Sequence, residues 1–326
     1  MIENIHLLGE DDFLPAIENE IKSWLDSHVT RGSLTSFDGT KLNYYITSPE
    51  NPKGAIVIVH GMAEFWAKYH EYAWYLYNAG FKVFFMEQRG FGYSEGKMPD
   101  PQLIYIDDYK TYVEDLHTFI ETVVKKESEG LPHIVLAHSM GGAVTTYYLE
   151  RHPGFFKAAL LSSPMMKMKA GSDLSPIVVF LLRLYSIVCF KAKSIAPNQK
   201  RFDPNTPIET SSAKSVPRFE YQLNVRRNDV HYQACAATLG WALASIKVHG
   251  DIMKNAKNIT IPVTMMTAGE DHLINPDGYK EITSLLPHIK TYHYAESRHE
   301  IFNSDEATRK KYFTDVLTEL ESFRDM

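Results

Sequence analysis

Cysteines are scarce in this sequence. Only two occur among its 326 residues, Cys189 and Cys235. Two cysteines are too few for a disulfide framework or for a cysteine-based metal cluster. We therefore expect two buried free thiols and no metal site.

An excess of positive charge is also absent. The 34 lysines and arginines are outnumbered by 40 aspartates and glutamates, and no basic run or stripe occurs. Nucleic acid is therefore not expected as a partner. The 44% of hydrophobic residues and 23% of charged residues are typical of an ordinary globular protein.

The sequence has no long hydrophobic run. The longest apolar stretch, residues 177–190, is interrupted by Arg183 and Ser186, and it is too short to span a bilayer as a helix. The first twenty residues contain no apolar core behind a basic start, so they do not resemble a secretory signal. We therefore expect a cytoplasmic protein.

The chain does contain an alternation of short apolar runs and helical segments. The runs lie at residues 55–59, 82–86, 133–137, 158–162, 263–267 and 291–294. Such strand–helix repeats predict an α/β fold, with a mostly parallel sheet covered by helices on both faces. Residues 33–37 and 42–47 flank Asp38-Gly39, which predicts an antiparallel hairpin at one edge of the sheet.

The alternation breaks between Pro164 and His249, which predicts an insertion. We expect a core formed by residues 1–164 and 249–326, with residues 1–30 as an N-terminal helical extension. The inserted residues 165–248 are then a helical cap above the strand ends, where open parallel sheets bind ligands.

The sharpest local motif is Ala137-His138-Ser139-Met140-Gly141, which follows a predicted strand and opens a predicted helix. Small residues two before and two after a serine allow the strand and the helix to approach closely. That context is required by a nucleophile elbow. The alternative is an ordinary strand-to-helix turn with a capping serine.

A serine nucleophile needs a base, and the base needs an orienting acid. Asp271 follows the run at 263–267, and His299 follows the run at 291–294, so both lie at strand ends. The competing carboxylates are Glu270 and Asp277, and the competing histidines are His288 and His293.

The loop after the first parallel strand is His60-Gly61-Met62-Ala63-Glu64. An oxyanion needs backbone N–H donors, and we expect these from Met62 and from Met140. His60 and Gly61 are expected to border the substrate.

Five segments occur in one order along the chain. They are His60-Gly61-Met62-Ala63-Glu64 with Lys68-Tyr69, Glu87-Gln88-Arg89-Gly90-Phe91-Gly92-Tyr93-Ser94, Ala137-His138-Ser139-Met140-Gly141-Gly142, Ala268-Gly269-Glu270-Asp271 and His299-Glu300. Together they resemble the monoacylglycerol lipase and bacterial lysophospholipase branch of the α/β-hydrolases. The resemblance extends from about residue 33 to the C-terminus and is weakest in the cap.

The resemblance implies an α/β-hydrolase fold and a triad of Ser139, Asp271 and His299. It also implies oxyanion donors at Met62 and Met140, and hydrolysis of a lysophospholipid or monoacylglycerol ester without a cofactor. The sequence departs from the family pattern at three positions. Ala63 and Ala137 replace glycines, and Glu87 replaces an aspartate.

The apolar stretch of the cap has two interpretations. It packs within the cap, or it lines the acyl chain through residues such as Phe180 and Leu184, with one face on membrane lipid. The second interpretation adds a peripheral contact with the inner membrane face. We assign Arg89 a structural role below the active site, because its glycine-rich segment lacks the Lys-Ser/Thr pair of a phosphate loop.

Other functions remain open at this stage. One is a broad carboxylesterase with the same triad, and another is a catalytically silent binding module. A peptidase acting on N-terminal proline is less favoured, because no cap acid motif for a free amine is evident. A nucleotide-binding protein is excluded by the lack of a glycine-rich phosphate loop after the first parallel strand.

Overall fold

A central sheet organises the chain, of which the computed structural model describes residues 5–169, 171 and 174–324. The strands are β1 (Val29–Thr35), β2 (Lys41–Thr47), β3 (Gly54–Val59), β4 (Phe81–Met86), β5 (Leu103–Ile104), β6 (His133–His138), β7 (Ala158–Ser162), β8 (Ala236–Ala237), β9 (Val263–Ala268) and β10 (Lys290–Tyr294). Within the described residues, eight strands form one sheet in the order β1-β2-β4-β3-β6-β7-β9-β10, and β5 pairs with β8. Only β2 in the large sheet runs antiparallel to its neighbours. The predicted mostly parallel sheet with an edge hairpin is confirmed.

Helices cover both faces of this sheet. The α-helices are α1 (Glu10–Ala16), α2 (Lys22–His28), α3 (His70–Asn78), α4 (Lys110–Phe119), α5 (Lys125–Glu127), α6 (Met140–Arg151), α7 (Pro176–Val188), α8 (Val216–Asn228), α9 (Leu239–Asn255), α10 (Asp277–Leu285) and α11 (Glu306–Arg324). Single π turns lie at Ile17–Ile21 and Ile120–Val124, and 3₁₀ turns lie at Trp66–Tyr69, Ile208–Thr210, Val230–Tyr232, Ala256–Asn258 and Ile301–Asn303. Successive side chains of a strand point to opposite faces. Val57 of β3 therefore packs with α4, α6 and α9, whereas Ile56 and Ile58 pack with α1 to α3 and α11.

The N-terminal helical segment packs on the body of the protein through one apolar face. Five apolar residues at helical spacing predict this segment, and four of them, Phe13, Ile17, Ile21 and Trp24, are buried in the cluster around α3 and α11, whereas the fifth, Leu25, is partly buried. Their spacing places them along a single side of the helix, and burying that side against neighbouring helices holds a short helix in place.

An ionic cluster joins α8 to this N-terminal segment. Arg218 of α8 is 1% exposed, and its guanidinium donates two hydrogen bonds to Glu71 of α3, at 2.7 and 2.6 Å. It donates a third hydrogen bond to Glu10 of α1, at 2.8 Å. Buried charges need such partners. Helix α8 is therefore held against α1 and α3.

Helix α9 crosses the boundary expected at residue 248. It continues to Asn255, and its residues Trp241, Val248 and Ile252 are buried in the same cluster as α6. The predicted boundary therefore falls inside one continuous helix that packs on the core. The helix begins at Leu239, shortly after β8.

Helix α7 presents most of its apolar side chains to solvent. The exposed fraction is 71% for Ile177, 64% for Phe180 and 70% for Ile187, and Phe190 just beyond the helix is 91% exposed. Packing within the cap therefore does not account for this stretch. No helix within residues 5–169, 171 and 174–324 is long and apolar enough to cross a membrane.

The prediction of two buried thiols is wrong for Cys189 and is met only in part by Cys235. Cys189 is exposed at the end of α7, and Cys235 is half-buried. The apolar sequence around Cys189 suggested burial, but the helix that carries it lies on the surface.

Candidate active site

Chemically active residues meet at the carboxyl edge of the sheet. Parallel strands bring their carboxyl ends together, and ligands bind beyond those ends. A cavity of about 390 Å³ lies there, and Ser139, His299, Met62 and Met140 all line it. These residues follow β3, β6 and β10, which are far apart in sequence and close together in the sheet.

Ser139 occupies a sharp turn between β6 and α6. Its φ of 52° and ψ of −119° form an unusual backbone conformation for a residue with a side chain. Gly141 allows α6 to approach β3 closely, because a Cβ there would lie 2.1 Å from the carbonyl oxygen of Val59. The turn thus has the geometry of a nucleophile elbow, in which the serine hydroxyl stands at a helix N-terminus. Ala137 is fully buried in the position of the first glycine.

His299 is paired with Asp271. The distance from His299 Nδ1 to Asp271 Oδ2 is 2.7 Å, and both side chains are at most 5% exposed. Asp271 Oδ1 accepts hydrogen bonds from the N–H groups of Leu273 and Ile274, at 2.8 and 3.1 Å. Burial alone would raise the pKa of Asp271, but the hydrogen bond and charge of His299 and the two N–H donors lower it. Asp271 is therefore held as a carboxylate.

The other nitrogen of His299 is available for chemistry. Nε2 is buried and has no hydrogen-bond partner within the described chain. With Nδ1 held by Asp271, Nε2 is the nitrogen that can accept a proton from a hydroxyl in the cavity.

The competing residues lie elsewhere. Glu270 pairs with Lys214 at the surface, at 2.8 Å, and Asp277 is exposed at the start of α10. His288 is exposed, and His293 lies within β10, where its Nδ1 is hydrogen-bonded to the hydroxyl of Thr267 in β9. None of the four lines the cavity in the part of the chain that the structure describes.

The two expected oxyanion donors border the cavity. Neither the N–H of Met62 nor that of Met140 donates to an acceptor within the described residues. Both are therefore free to bind a ligand oxygen. Ala63 has a φ of 60°, in the left-handed region that favours glycine, so the alanine at this position carries backbone strain.

His60 does not border the substrate, which corrects the expectation for this residue. It is fully buried, and its Nε2 accepts a hydrogen bond from the N–H of Gln88 at 2.9 Å. The opposite nitrogen therefore carries the proton and donates to the carbonyl oxygen of Gly61, at 2.7 Å. Burial lowers the pKa of His60 to about 4, so the ring stays neutral. His60 shapes the oxyanion loop, and Gly61 lies beside it without lining the cavity.

Phe180 and Leu184 also lie outside this cavity. They are 64% and 49% exposed on α7, and Phe180 borders a separate open depression between α7 and α9. The expectation that both line the acyl chain is therefore corrected. Their hydrophobicity indicated burial, whereas the helix turns them towards solvent.

A buried ionic set beneath the site was not anticipated from the sequence. His138 Nδ1 lies 3.1 Å from Glu64, and Lys68 bridges Glu64 and Glu300 at 3.0 and 2.6 Å. The ring of His138 lies 4.9 Å from the ring of His299. Burial opposes charge on Glu64, but His138 and Lys68 hold its pKa well below the usual range. Glu64, Lys68, His138 and Glu300 all belong to the motifs on which the family resemblance rests. That resemblance was the one feature of the sequence that could have indicated this ionic set.

Arg89 connects two segments below the site. Its guanidinium donates to Asp115 at 2.8 Å from two nitrogens, and to Asp38 at 2.6 and 3.0 Å. It ties the edge hairpin to α4 and does not line the cavity. These contacts accord with a structural role.

Glu87 is buried next to the same loop. Its Oε2 accepts hydrogen bonds from Asn43 Nδ2 at 2.9 Å and from the N–H of Tyr93 at 2.7 Å, whereas its Oε1 has no partner within the described residues. Burial raises the pKa of Glu87 to about 7, although the two hydrogen bonds act in the opposite direction.

Glu87→Gln is expected to remove a pH dependence of stability. The folded-state pKa of Glu87 is raised, so its contribution is full below pH 4.5 and is lost as the pH rises through 7. Glutamine can keep both accepted hydrogen bonds and does not ionise. Relative to wild type, the free energy of unfolding of the variant should increase by about 2 kcal/mol between pH 5 and 8. Urea unfolding at both pH values measures this, with the exposed Glu95→Gln as control. A parallel change in wild type and variant would contradict the assignment.

An α/β-hydrolase is defined by three features of this structure: the order of the strands in the sheet, the nucleophile elbow at Ser139, and the Asp271–His299 pair at the strand ends. The chain belongs to the family described as serine aminopeptidase, S33, which matches residues 50–306, and it is similar over most of its length to proteins named monoacylglycerol lipase and lysophospholipase. It is therefore a serine ester hydrolase.

Sequence similarity to curated relatives extends over most of the chain. The monoacylglycerol lipase of Mycolicibacterium smegmatis is 28% identical over 281 residues, which cover 84% of this chain and 91% of that protein. Lysophospholipase L2 of Escherichia coli K12 is 26% identical over 252 residues, covering 74% and 70%. Among solved structures, a thermostable carboxyl esterase from Bacillus coagulans matches with a TM-score of 0.75 at 20% identity, covering 91% of this chain and 99% of that one. This last likeness shows the shared fold.

Proposed function

We propose that the protein hydrolyses the carboxylic ester of a lysophospholipid or a monoacylglycerol through an acyl-enzyme on Ser139. The observation that carries the proposal is the 2.7 Å pairing of His299 with Asp271, which leaves Nε2 without a partner at a cavity shared with Ser139. The names of the curated relatives supply the lipid class.

The reaction has two halves. Ser139 Oγ attacks the ester carbonyl carbon while His299 Nε2 takes its proton, and the N–H groups of Met62 and Met140 bind the resulting oxyanion. The bond to the alcohol then breaks, and the alcohol leaves with the proton from His299. Water attacks the acyl-enzyme, again giving a proton to His299, and the fatty acid is released as Ser139 recovers its proton. Asp271 stabilises the imidazolium in both halves.

The cavity lining supports an acyl chain as part of the substrate. Apolar side chains dominate it, including Met165, Met168, Leu223, Trp241 and Ile274. Burying the methylene groups of a long chain against such a surface is favourable by about 0.8 kcal/mol each.

We further propose that residues 165–248 act as a cap whose helix α7 rests on a lipid surface. The exposed apolar side chains of α7 would otherwise face water, and the exposed Lys191 and Lys193 lie a few residues beyond the end of this helix. Lysines next to an apolar surface favour anionic lipid.

Activity is expected to rise with acyl length. For 4-nitrophenyl esters, kcat/KM should be at least tenfold higher for the dodecanoyl than for the acetyl ester, because the longer chain buries more apolar surface. Stopped-flow or steady-state hydrolysis measures this. Equal values for the two esters would argue against a lipid substrate.

The same assay tests the surface of α7. The dodecanoyl ester is also supplied in phosphatidylglycerol vesicles, and Phe180→Ser should lower the rate there more than in the absence of vesicles. Leu285→Ser on α10 is the matched control, because Leu285 is an exposed apolar residue far along the chain from the cap. Equal effects of the two variants would contradict the surface contact.

A further inference from the structure

Arg226 of α8 lines the cavity as a cation without an acidic partner. It forms no direct ion pair with a carboxylate of the described residues, and Glu300 acts on its charge only from a longer distance. Its Nε donates to the carbonyl oxygen of Tyr232 at 3.1 Å, and its guanidinium lies 4.4 Å from the centre of the Phe202 ring. Its Nη2 is buried and has no hydrogen-bond partner by distance and angle within the described chain, although the guanidinium interacts with the thiol of Cys235. Burial lowers the pKa of this guanidinium, and Cys235 and Glu300 offset that effect only in part, so its charge is held at a cost in free energy.

The other charges that border the cavity are already balanced. Glu64 and Glu300 face Lys68 and His138, and burial of His138 is outweighed by Glu64, so that the pKa of His138 is raised. His299 also lines the cavity, and its partner Asp271 lies behind it, outside the lining. Among the described charged residues in the lining, Arg226 is the one that forms no direct ion pair, and Glu300, which is already bound to Lys68, favours its charge only through a longer-range interaction.

Contacts place Arg226 on the oxyanion-loop side of the cavity. The ring of Tyr232, whose carbonyl accepts from Arg226, stacks on the ring of Phe65 with centroids 4.6 Å apart. Phe65 directly follows Glu64 of that loop. Gln222 lies one helical turn before Arg226 on α8 and also lines the cavity. A hydrogen-bonding group and a fixed charge therefore occupy the same face of one helix.

We propose that Arg226 binds the phosphate of the substrate's head group, so that the preferred ester is an acyl glycerophosphate and not a neutral acylglycerol. This inference rests on the proposed lipid-ester hydrolysis and specifies its substrate. A guanidinium presents several N–H donors in a planar fork that suits phosphate oxygens. A phosphate at this position would compensate the buried charge and supply an acceptor for Nη2. The apolar lining would then receive the acyl chain.

The test compares two substrates that differ only in the phosphate, 1-dodecanoylglycerol 3-phosphate and 1-dodecanoylglycerol. Wild type is expected to have at least tenfold higher kcat/KM for the phosphate ester. Arg226→Gln should reduce the ratio of the two kcat/KM values at least tenfold, mainly through the KM of the phosphate ester. Arg227→Gln is the matched control, because Arg227 is the next residue of α8 and does not line the cavity. Its ratio should equal that of wild type.

A wild type that prefers the neutral ester, or an unchanged ratio in Arg226→Gln, would overturn the inference. If the variant does not fold, competition in wild type decides, because glycerol 3-phosphate should inhibit neutral-ester hydrolysis and glycerol should not. Lack of such inhibition counts against the inference as well. Hydrolysis of both esters with equal efficiency would reject the phosphate-binding role of Arg226 but would leave the proposed ester hydrolysis intact. Failure to cleave either ester, with no fluorophosphonate labelling of Ser139, would reject the proposed function itself.

Discussion

Ser139→Ala is expected to lower kcat for ester hydrolysis by a factor of about 10⁴ to 10⁶. The change removes the oxygen that would form the acyl-enzyme. The strained backbone at Ser139 accepts a Cβ already, so alanine should fit the turn without further cost. Thermal unfolding of the variant should therefore be close to that of wild type.

A fluorophosphonate probe provides the direct measurement. Mass spectrometry should locate the label on Ser139 in wild type and find none in Ser139→Ala. Ser212→Ala is the control, because Ser212 also lines the cavity and has no elbow geometry, so this variant should still be labelled. A folded wild type that takes no label would instead favour a silent binding module.

Asp271→Asn is expected to lower kcat by about 10⁴-fold, with much less effect on folding. Asp271 Oδ1 accepts the N–H groups of Leu273 and Ile274, and an asparagine can keep these two hydrogen bonds with its own oxygen. Its NH₂ group then faces His299 Nδ1 and donates to it. The imidazole proton is forced onto Nε2, where it blocks the acceptance of a proton from Ser139.

Kinetics of Asp271→Asn and Glu270→Gln separate the two adjacent acids. Glu270 is the neighbour in sequence and pairs with Lys214 at the surface, so its variant should retain kcat within about twofold of wild type, as for most surface substitutions. Comparable losses in both variants would mean that the loop as a whole, and not the Asp271 carboxylate, supports the rate.

The fold was predictable because its signals are local. Buried parallel strands are short and apolar on both faces, and the runs at residues 55–59 and 133–137 correspond to β3 and β6. The elbow was predictable for the same reason, since Gly141 and Ser139 are two positions apart and the steric demand acts between adjacent segments. Chain order and placement at strand ends also selected Asp271 and His299 for comparison.

Predictions that relied on hydrophobicity alone were less accurate. Phe180 and Leu184 are as apolar as core residues, yet both are exposed on α7. Which side of a surface helix is buried depends on the neighbouring elements that pack against it, and the hydrophobicity of single residues does not reveal these neighbours. His60 was assigned to the substrate on account of its place in the loop. Its ring instead serves two backbone groups, which the sequence does not reveal.

The sequence by itself determined the α/β architecture, the position of the elbow and a small set of acids and histidines for the site. Only the tertiary structure decided which of these residues pair with each other, and that Arg226 lines the cavity without a direct ion pair. Pairing depends on distances of about 3 Å between side chains that lie far apart along the chain. His299 and Asp271 are 28 positions apart, and Arg226 reaches the cavity from helix α8. Such proximity follows from the packing of strands and helices around one core and cannot be obtained from residue types or spacing.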